Sequence, residues 1–131
     1  MSTSDFLEAA IGNHFYNGIP AASPASVWVA LFTTATDDAD AGGVEVSGTN
    51  YSRVEVTAGF TVTSPAGTYI NNVDIVFPLV GVGGWGTIVG VATYDAALGN
   101  LLDHGLVIPN RLIVENDVFQ FAIGSLVIQK S

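Results

Sequence analysis

Residues 75–94, IVFPLVGVGGWGTIVGVATY, carry no charge and are long enough to cross a bilayer. What this run becomes decides the class of the whole chain. Pro78 and five glycines fall inside it, and Gly81, Gly83, Gly84 and Gly86 crowd around Trp85. That punctuation divides two β-type runs and does not suit one continuous helix. The expectation is strands and a glycine turn, with no membrane as partner.

Composition narrows the class further. Apolar residues make up 49% of the 131-residue chain and charged residues 11%, where soluble chains average about 25% charged. The length suits one domain with a real core. Yet so few charges cannot coat the surface in the usual way, so burial against other subunits is expected. Net charge is −9, and the three basic residues Arg53, Arg111 and Lys130 are scattered. Nucleic-acid binding needs clustered Lys and Arg to neutralise phosphates, so no nucleic-acid partner is expected. The acidity favours solubility and holds copies apart until specific contacts form. There is no cysteine, which removes disulfides, thiolate zinc sites and a Cys nucleophile. The chain opens without a basic segment and carries Asp5 and Glu8 early, which speaks against a secretory signal.

Only residues 4–18, SDFLEAAIGNHFYNG, read as helix. Ser4 or Asp5 can cap it, with Glu8 near the capping-box position, and Gly18 and Pro20 stop it. Leu7, Ile11 and Phe15 fall at helical spacing on one face, with Phe6 and Ala10 beside them. Such a helix either covers the end of a sandwich or forms an arm that docks on a partner. Beyond Pro24 the pattern is strand and turn. Residues 26–34 are β-branched and aromatic on both faces, as in a buried strand. Residues 36–43, TDDADAGG, form an acidic loop. Residues 44–62 place two runs around the turn Ser47-Gly48-Thr49-Asn50, and 68–77, 85–95, 101–108 and 111–129 supply further strands, the last with a turn at Asn116-Asp117. The expected fold is all-β: a β-sandwich or jelly-roll-like single domain over 26–131, with a short N-terminal helix or arm over 1–25.

Searching for chemistry returns little. The acidic loop starts like a calcium loop, but the twelfth position from Asp38 is Thr49 and no helices flank it. A looser calcium site from Asp37, Asp38, Asp40 and Glu45 competes with a plain solvated loop. His14 and His104 stand alone, and neighbours such as Asp103 and His104 point to opposite faces of a strand. No G-x-S-x-G turn occurs, and GVGGWG at 81–86 lacks the lysine and helix of a phosphate loop. Acid pairs such as Glu45 and Glu55 alternate outward and suggest no glycosidase pair. No enzyme activity, no metal and no cofactor are expected.

The segments VWVALFTT, GGVEVSGTNYSRVEV, INNVDIVFP, WGTIVGVATYDAALGNLLDHG and NDVFQFAIGSLVI, in that order, cover almost the whole chain from about Asp5 to Ile128. Together they resemble small virion proteins of tailed bacteriophages, labelled tail-fibre-like or capsid decoration (cement) proteins. The most specific pieces are G-x-E-V-S-G-x-x-Y-x-R at 43–53, Phe77-Pro78, Trp85-Gly86 and Tyr94-Asp95-Ala96. The glycine-rich LVGVGGWG and the single glycine of LGN depart from the pattern, both in turns. The resemblance implies a β-sandwich structural protein without known chemistry.

The leading expectation is a cement protein on the capsid surface of the virion, made in the host cytoplasm. It would self-associate, most simply as a homotrimer, and bridge subunits of the major capsid protein, stabilising the assembled shell by linkage. The alternative is a tail-fibre or receptor-binding module that recognises the host surface. Candidate interface residues are Phe6, Leu7, Ile11 and Phe15 on the helix, Tyr51 and Arg53 beside the 47–50 turn, and Trp85 on its glycine turn. Tyr51 and Arg53 share a strand face, so a local clasp, with the arginine stacked on Tyr51 or paired with Glu55, competes with an intersubunit pair. Trp85 is either core or an interface anchor.

Overall fold

A computed structural model describes residues 1–63 and 67–129. The elements, in chain order, are β1 (Ser2–Thr3), α1 (Asp5–Tyr16), β2 (Val27–Thr34), β3 (Val44–Glu45), β4 (Val54–Val56), β5 (Phe60–Thr63), β6 (Thr68–Asn71), β7 (Ile75–Val76), β8 (Gly86–Tyr94), β9 (Leu101–Ile113), β10 (Gln120–Phe121) and β11 (Val127–Gln129). The expected all-β domain with one short N-terminal helix is what forms. The run 75–94 holds β7, a glycine loop and β8, and no helix among the described residues is long and apolar enough to cross a membrane.

Every strand pairing is antiparallel. The large sheet runs β1-β9-β8-β2-β3, with β4 also on β2; β11-β6-β5 and β10-β7 are separate small sheets. Strand β2 shows why. Its alternate residues Val29 and Leu31 face the main core, while Trp28, Ala30 and Phe32 face a second cluster with Ala92, Tyr94 and Leu101. An apolar strand on both faces must lie in the middle of a sheet with cover on each side. On the main side, Val29, Leu31, Ile88, Val91 and Ile113 of the large sheet meet Ile75, Phe77, Phe119 and Leu126, and Phe60 and Phe121 of the small sheets pack against them. The Tyr51, Phe77, Trp85, Phe119 and Phe121 rings touch mostly edge to face, with centroids 5.2 to 6.5 Å apart. Each such pair adds about 0.5–1.5 kcal/mol beyond its buried area.

The expected strand pattern is rearranged in three places. Residues 44–62 make no hairpin of their own. Instead β3 and β4 lie end to end along one edge of β2, pairing with Phe32 and Thr34 and with Val27, Trp28 and Val29 respectively. Residues 68–77 split into β6 and β7 in different sheets. The hinge is Asn71, which is fully buried. Its Nδ2 donates to the carbonyls of Val73, Phe121 and Ala122, and its Oδ1 accepts from Leu126 N–H. One amide side chain thus satisfies backbone groups that no ladder reaches, where leaving them bare would cost about 1–3 kcal/mol each. Finally, Pro109 does not separate the expected runs 101–108 and 111–129: β9 continues to Ile113 through a cis Ile108-Pro109 bond, with a register break opposite Ile88 and Gly90.

Helix α1 is capped by Ser4, whose side chain accepts from Leu7 N–H and donates to the Leu101 carbonyl, while Ser4 N–H binds the Leu102 carbonyl. It ends at Asn17 and at Gly18, which has φ +67°, with Ile19 N–H returning to the Asn13 carbonyl. Residues 17–25 are exposed throughout. So the helix is anchored at its first turn and joined to β2 by an exposed connection.

Candidate functional site

The stretch around Tyr51 and Arg53 forms a polar cluster in the wall of the core. Between β3 and β4, residues 46–53 leave the edge of β2, and the middle of that edge needs other partners. The Leu31 carbonyl takes Val46 N–H. The Leu31 N–H donates to the Tyr51 hydroxyl at 3.0 Å, and that hydroxyl donates to Glu45 Oε2 at 2.7 Å. A phenol therefore stands where a neighbouring strand's carbonyl would be. Arg53 holds the same carboxylate through Nε at 2.9 Å and Nη2 at 2.8 Å, donates from Nη1 to the Ala97 carbonyl, and lies 3.7 Å over the Tyr94 ring. Tyr94 in turn donates to Asp40 Oδ1, which also accepts from Thr36.

Electrostatics follow from this packing. Burial, reinforced by the bond to Glu45, pushes the Tyr51 hydroxyl well above its ordinary range. Burial and the bond to Asp40 do the same for Tyr94. Burial works against the Arg53 charge, but the hydrogen bonds and attraction of Glu45 outweigh it and raise its pKa. All three groups are held in their ordinary protonation states. The cluster is a clasp: it fixes the 46–53 excursion onto β2 and ties it to the acidic loop.

The clasp forms with partners other than those the spacing suggested. Arg53 stacks on Tyr94 instead of Tyr51 and pairs with Glu45 instead of Glu55, because residues 51–53 lie ahead of β4 and do not share a strand with Glu55. Trp85 is 4% exposed, its ring set against Tyr51 and Phe77 and its Nε1 bonded to the Thr49 carbonyl. Of the two readings open for it, core or interface anchor, the structure places it in the core. Gly48 lies against it: a Cβ there would sit 2.5 Å from both the Gly84 carbonyl and the Trp85 ring.

The acidic loop is also internally used. Asp37 accepts from Ala39 and Ala41 N–H, Asp40 from Thr36 and Tyr94, and Asp38 pairs with His104. Asp103 turns to the other side of β9, is buried and accepts from Thr3. Among the described residues no group of three or more His, Asp or Glu side chains could hold a metal ion.

The helix residues behave differently. Leu7 is half-buried, but Phe6, Ile11 and Phe15 are exposed, Phe15 by 75% and Tyr16 by 89%. At about 100° per residue, Ile11, Phe15, Glu8, Gly12, Asp5 and Tyr16 fall in that order on one arc. Its Glu8, Ile11 and Gly12 border a cleft with Met1, Tyr69 and Gln129, and its Phe15 and Tyr16 stand open. Sequence reasoning missed a second apolar surface, on β9: Leu106, Ile108 and Leu112 are exposed, Ile108 by 84%. These alternate positions carry the period-2 signal of a strand face, but nothing in the pattern tells an uncovered face from a covered one.

No curated protein matches the chain. Its sequence matches the family described as Podophage GP4 fiber I protein gp80 over residues 2–129. The chain belongs to that podophage fibre-protein family and is a tail-fibre-like structural protein of the phage virion.

Proposed function

We propose that this protein is a non-enzymatic, self-associating subunit of a podophage fibre, built to make contacts with other virion proteins. The match to a fibre protein over nearly the full length carries this reading. The exposed apolar helix supports it, since a surface of this kind on a chain with few charges calls for a covering partner. The side chains that elsewhere do chemistry act here as struts: Glu45, Tyr51 and Arg53 in the clasp, Asp38 with His104. Cyclic association, most simply a trimer, would bury apolar surface without leaving open-ended contacts.

The same observations favour the fibre over the capsid-decoration alternative, in which the major capsid protein is the partner. That reading draws on the exposed helix as a docking arm, but the family description names a fibre. Immunogold labelling of intact virions with an antibody to this chain separates them. Label on fibres at the tail is the expected result. Dense label over the head would replace the fibre reading with decoration, and unlabelled particles would sink both.

A further inference from the structure

We propose that the exposed arc of α1 in one copy docks into the cleft along β9 of a second copy, in a head-to-tail contact. This rests on the self-associating fibre reading. The cleft measures about 490 Å³ and runs beside Leu106, Ile108, Pro109 and Arg111, with Phe119 and Phe121 on the other side. Its lining includes one arginine and no carboxylate, in a chain of net charge −9. Arg111 lies 5.3 Å over the Phe119 ring and pairs with no carboxylate among the described residues. A second acidic body would be repelled from most of this molecule; here it meets a trough of mixed polarity, with exposed Leu106 and Ile108 along it and Arg111 as its cation.

The helix has the complementary make-up. That arc carries exposed Ile11, Phe15 and Tyr16 as apolar and aromatic anchors, and Asp5 and Glu8 as carboxylates in no ion pair among the described residues. No residue of α1 is buried in its own chain. Nor is the helix free to reach its own cleft: Ser4 and Asp5 pin its start to Leu101, Leu102 and Asp38, ahead of the stretch of β9 that lines the trough. Helix and cleft are different patches of one surface, so the contact is heterologous, and repeating it builds a ring where the rotation closes. Aromatic and arginine side chains are the residues that dominate such contacts.

The test is a complementation in the full-length chain. One variant blocks the helix (Phe15→Glu with Tyr16→Glu), the other the cleft (Ile108→Glu with Arg111→Glu), and analytical ultracentrifugation reads their masses. All four positions are exposed, and unchanged circular dichroism spectra check folding. Wild type is expected to assemble, and each variant alone to weaken self-association at least about tenfold. An equimolar mixture should give a heterodimer, since it holds one intact helix face and one intact cleft. A wild type that is monomeric at every concentration, a variant that assembles like wild type, or a mixture that stays monomeric would each overturn the proposal. A second pair guards against misfolding: Arg111→Glu alone should weaken assembly, and adding Glu8→Arg should restore it. Assembly insensitive to all of these, on a protein still found in fibres, removes this contact and leaves the fibre reading standing.

Discussion

The Tyr51 hydroxyl is the smallest group on which a large share of the fold depends, and Tyr51→Phe removes it without changing the ring. Two bonds go with it. Leu31 is fully buried and its N–H has the Tyr51 hydroxyl as acceptor, so the change leaves a buried donor bare; such a loss costs about 1–3 kcal/mol. The bond to the Glu45 carboxylate is charge-assisted, a class worth about 1.5–3 kcal/mol. Because one atom makes both, the terms do not add in full, and a total of about 2–4 kcal/mol is expected. At about 3–4 °C per kcal/mol for a chain of this length, that lowers Tm by roughly 6–16 °C. Urea unfolding followed by circular dichroism, at matched protein concentration, reads the difference. Glu45→Gln is the control: it keeps the phenol in place for Leu31 and loses the charge of the partly buried pair with Arg53 and of the bond to Tyr51, about 1–2 kcal/mol. A Tyr51→Phe loss below about 0.5 kcal/mol, or one no larger than that of Glu45→Gln, would refute the idea that the hydroxyl stands in for a strand.

Other substitutions test other parts of the frame. Asn71→Ala strips a buried amide from the carbonyls of Val73, Phe121 and Ala122 and from Leu126 N–H, and should cost about 3–5 kcal/mol in urea unfolding, enough to threaten expression. Ser4→Ala removes both the cap of α1 and a bond to Leu101, so helical signal should fall and unfolding free energy drop by about 1–2 kcal/mol with the body intact. Gly48→Ala drives a Cβ into the Gly84 carbonyl and the Trp85 ring, and a loss of about 1–3 kcal/mol should accompany a changed tryptophan fluorescence. In alkali the sign follows from Tyr51 and Tyr94, whose folded pKa values lie above the ordinary 10.0. The folded state keeps its phenolic protons where the unfolded state loses them, so stability holds below pH 10 and declines above it, and Tyr51→Phe should flatten that decline.

The parts of the fold legible in the sequence were those with strong periodicity or turn chemistry. Residues 26–34 are apolar on both faces because β2 is covered on both, and Ser4, Gly18 and Asn116 sit where a cap and two turns need them. What stayed hidden was set by contacts far apart in the chain. Asn71 carries no local signal of its role, since its four bonds lead mostly to residues near 121–126. Glu45 was preferred by Arg53 over Glu55 because the excursion between β3 and β4 brings positions eight apart together. In the clasp the residue types were readable and the pairing was not. On the helix, the spacing marked an apolar stripe but could not tell whether the chain itself covers it.

Polarity in this molecule is distributed against the usual habit. Ser4, Asn71, Thr93 and Asp103 are buried, while Phe15, Tyr16, Leu98 and Ile108 lie open to solvent. The buried polar groups have a reason inside the chain: short strands in three sheets leave backbone groups that side chains must satisfy. The exposed apolar groups have none. A chain with 11% charged residues has few side chains with which to screen them, and exposed apolar patches of this kind mark contact surfaces. On the self-association proposed above, low charge density and an uncovered helix are two sides of one design: net charge −9 delays contact until the helix meets a trough that carries an arginine and no acid.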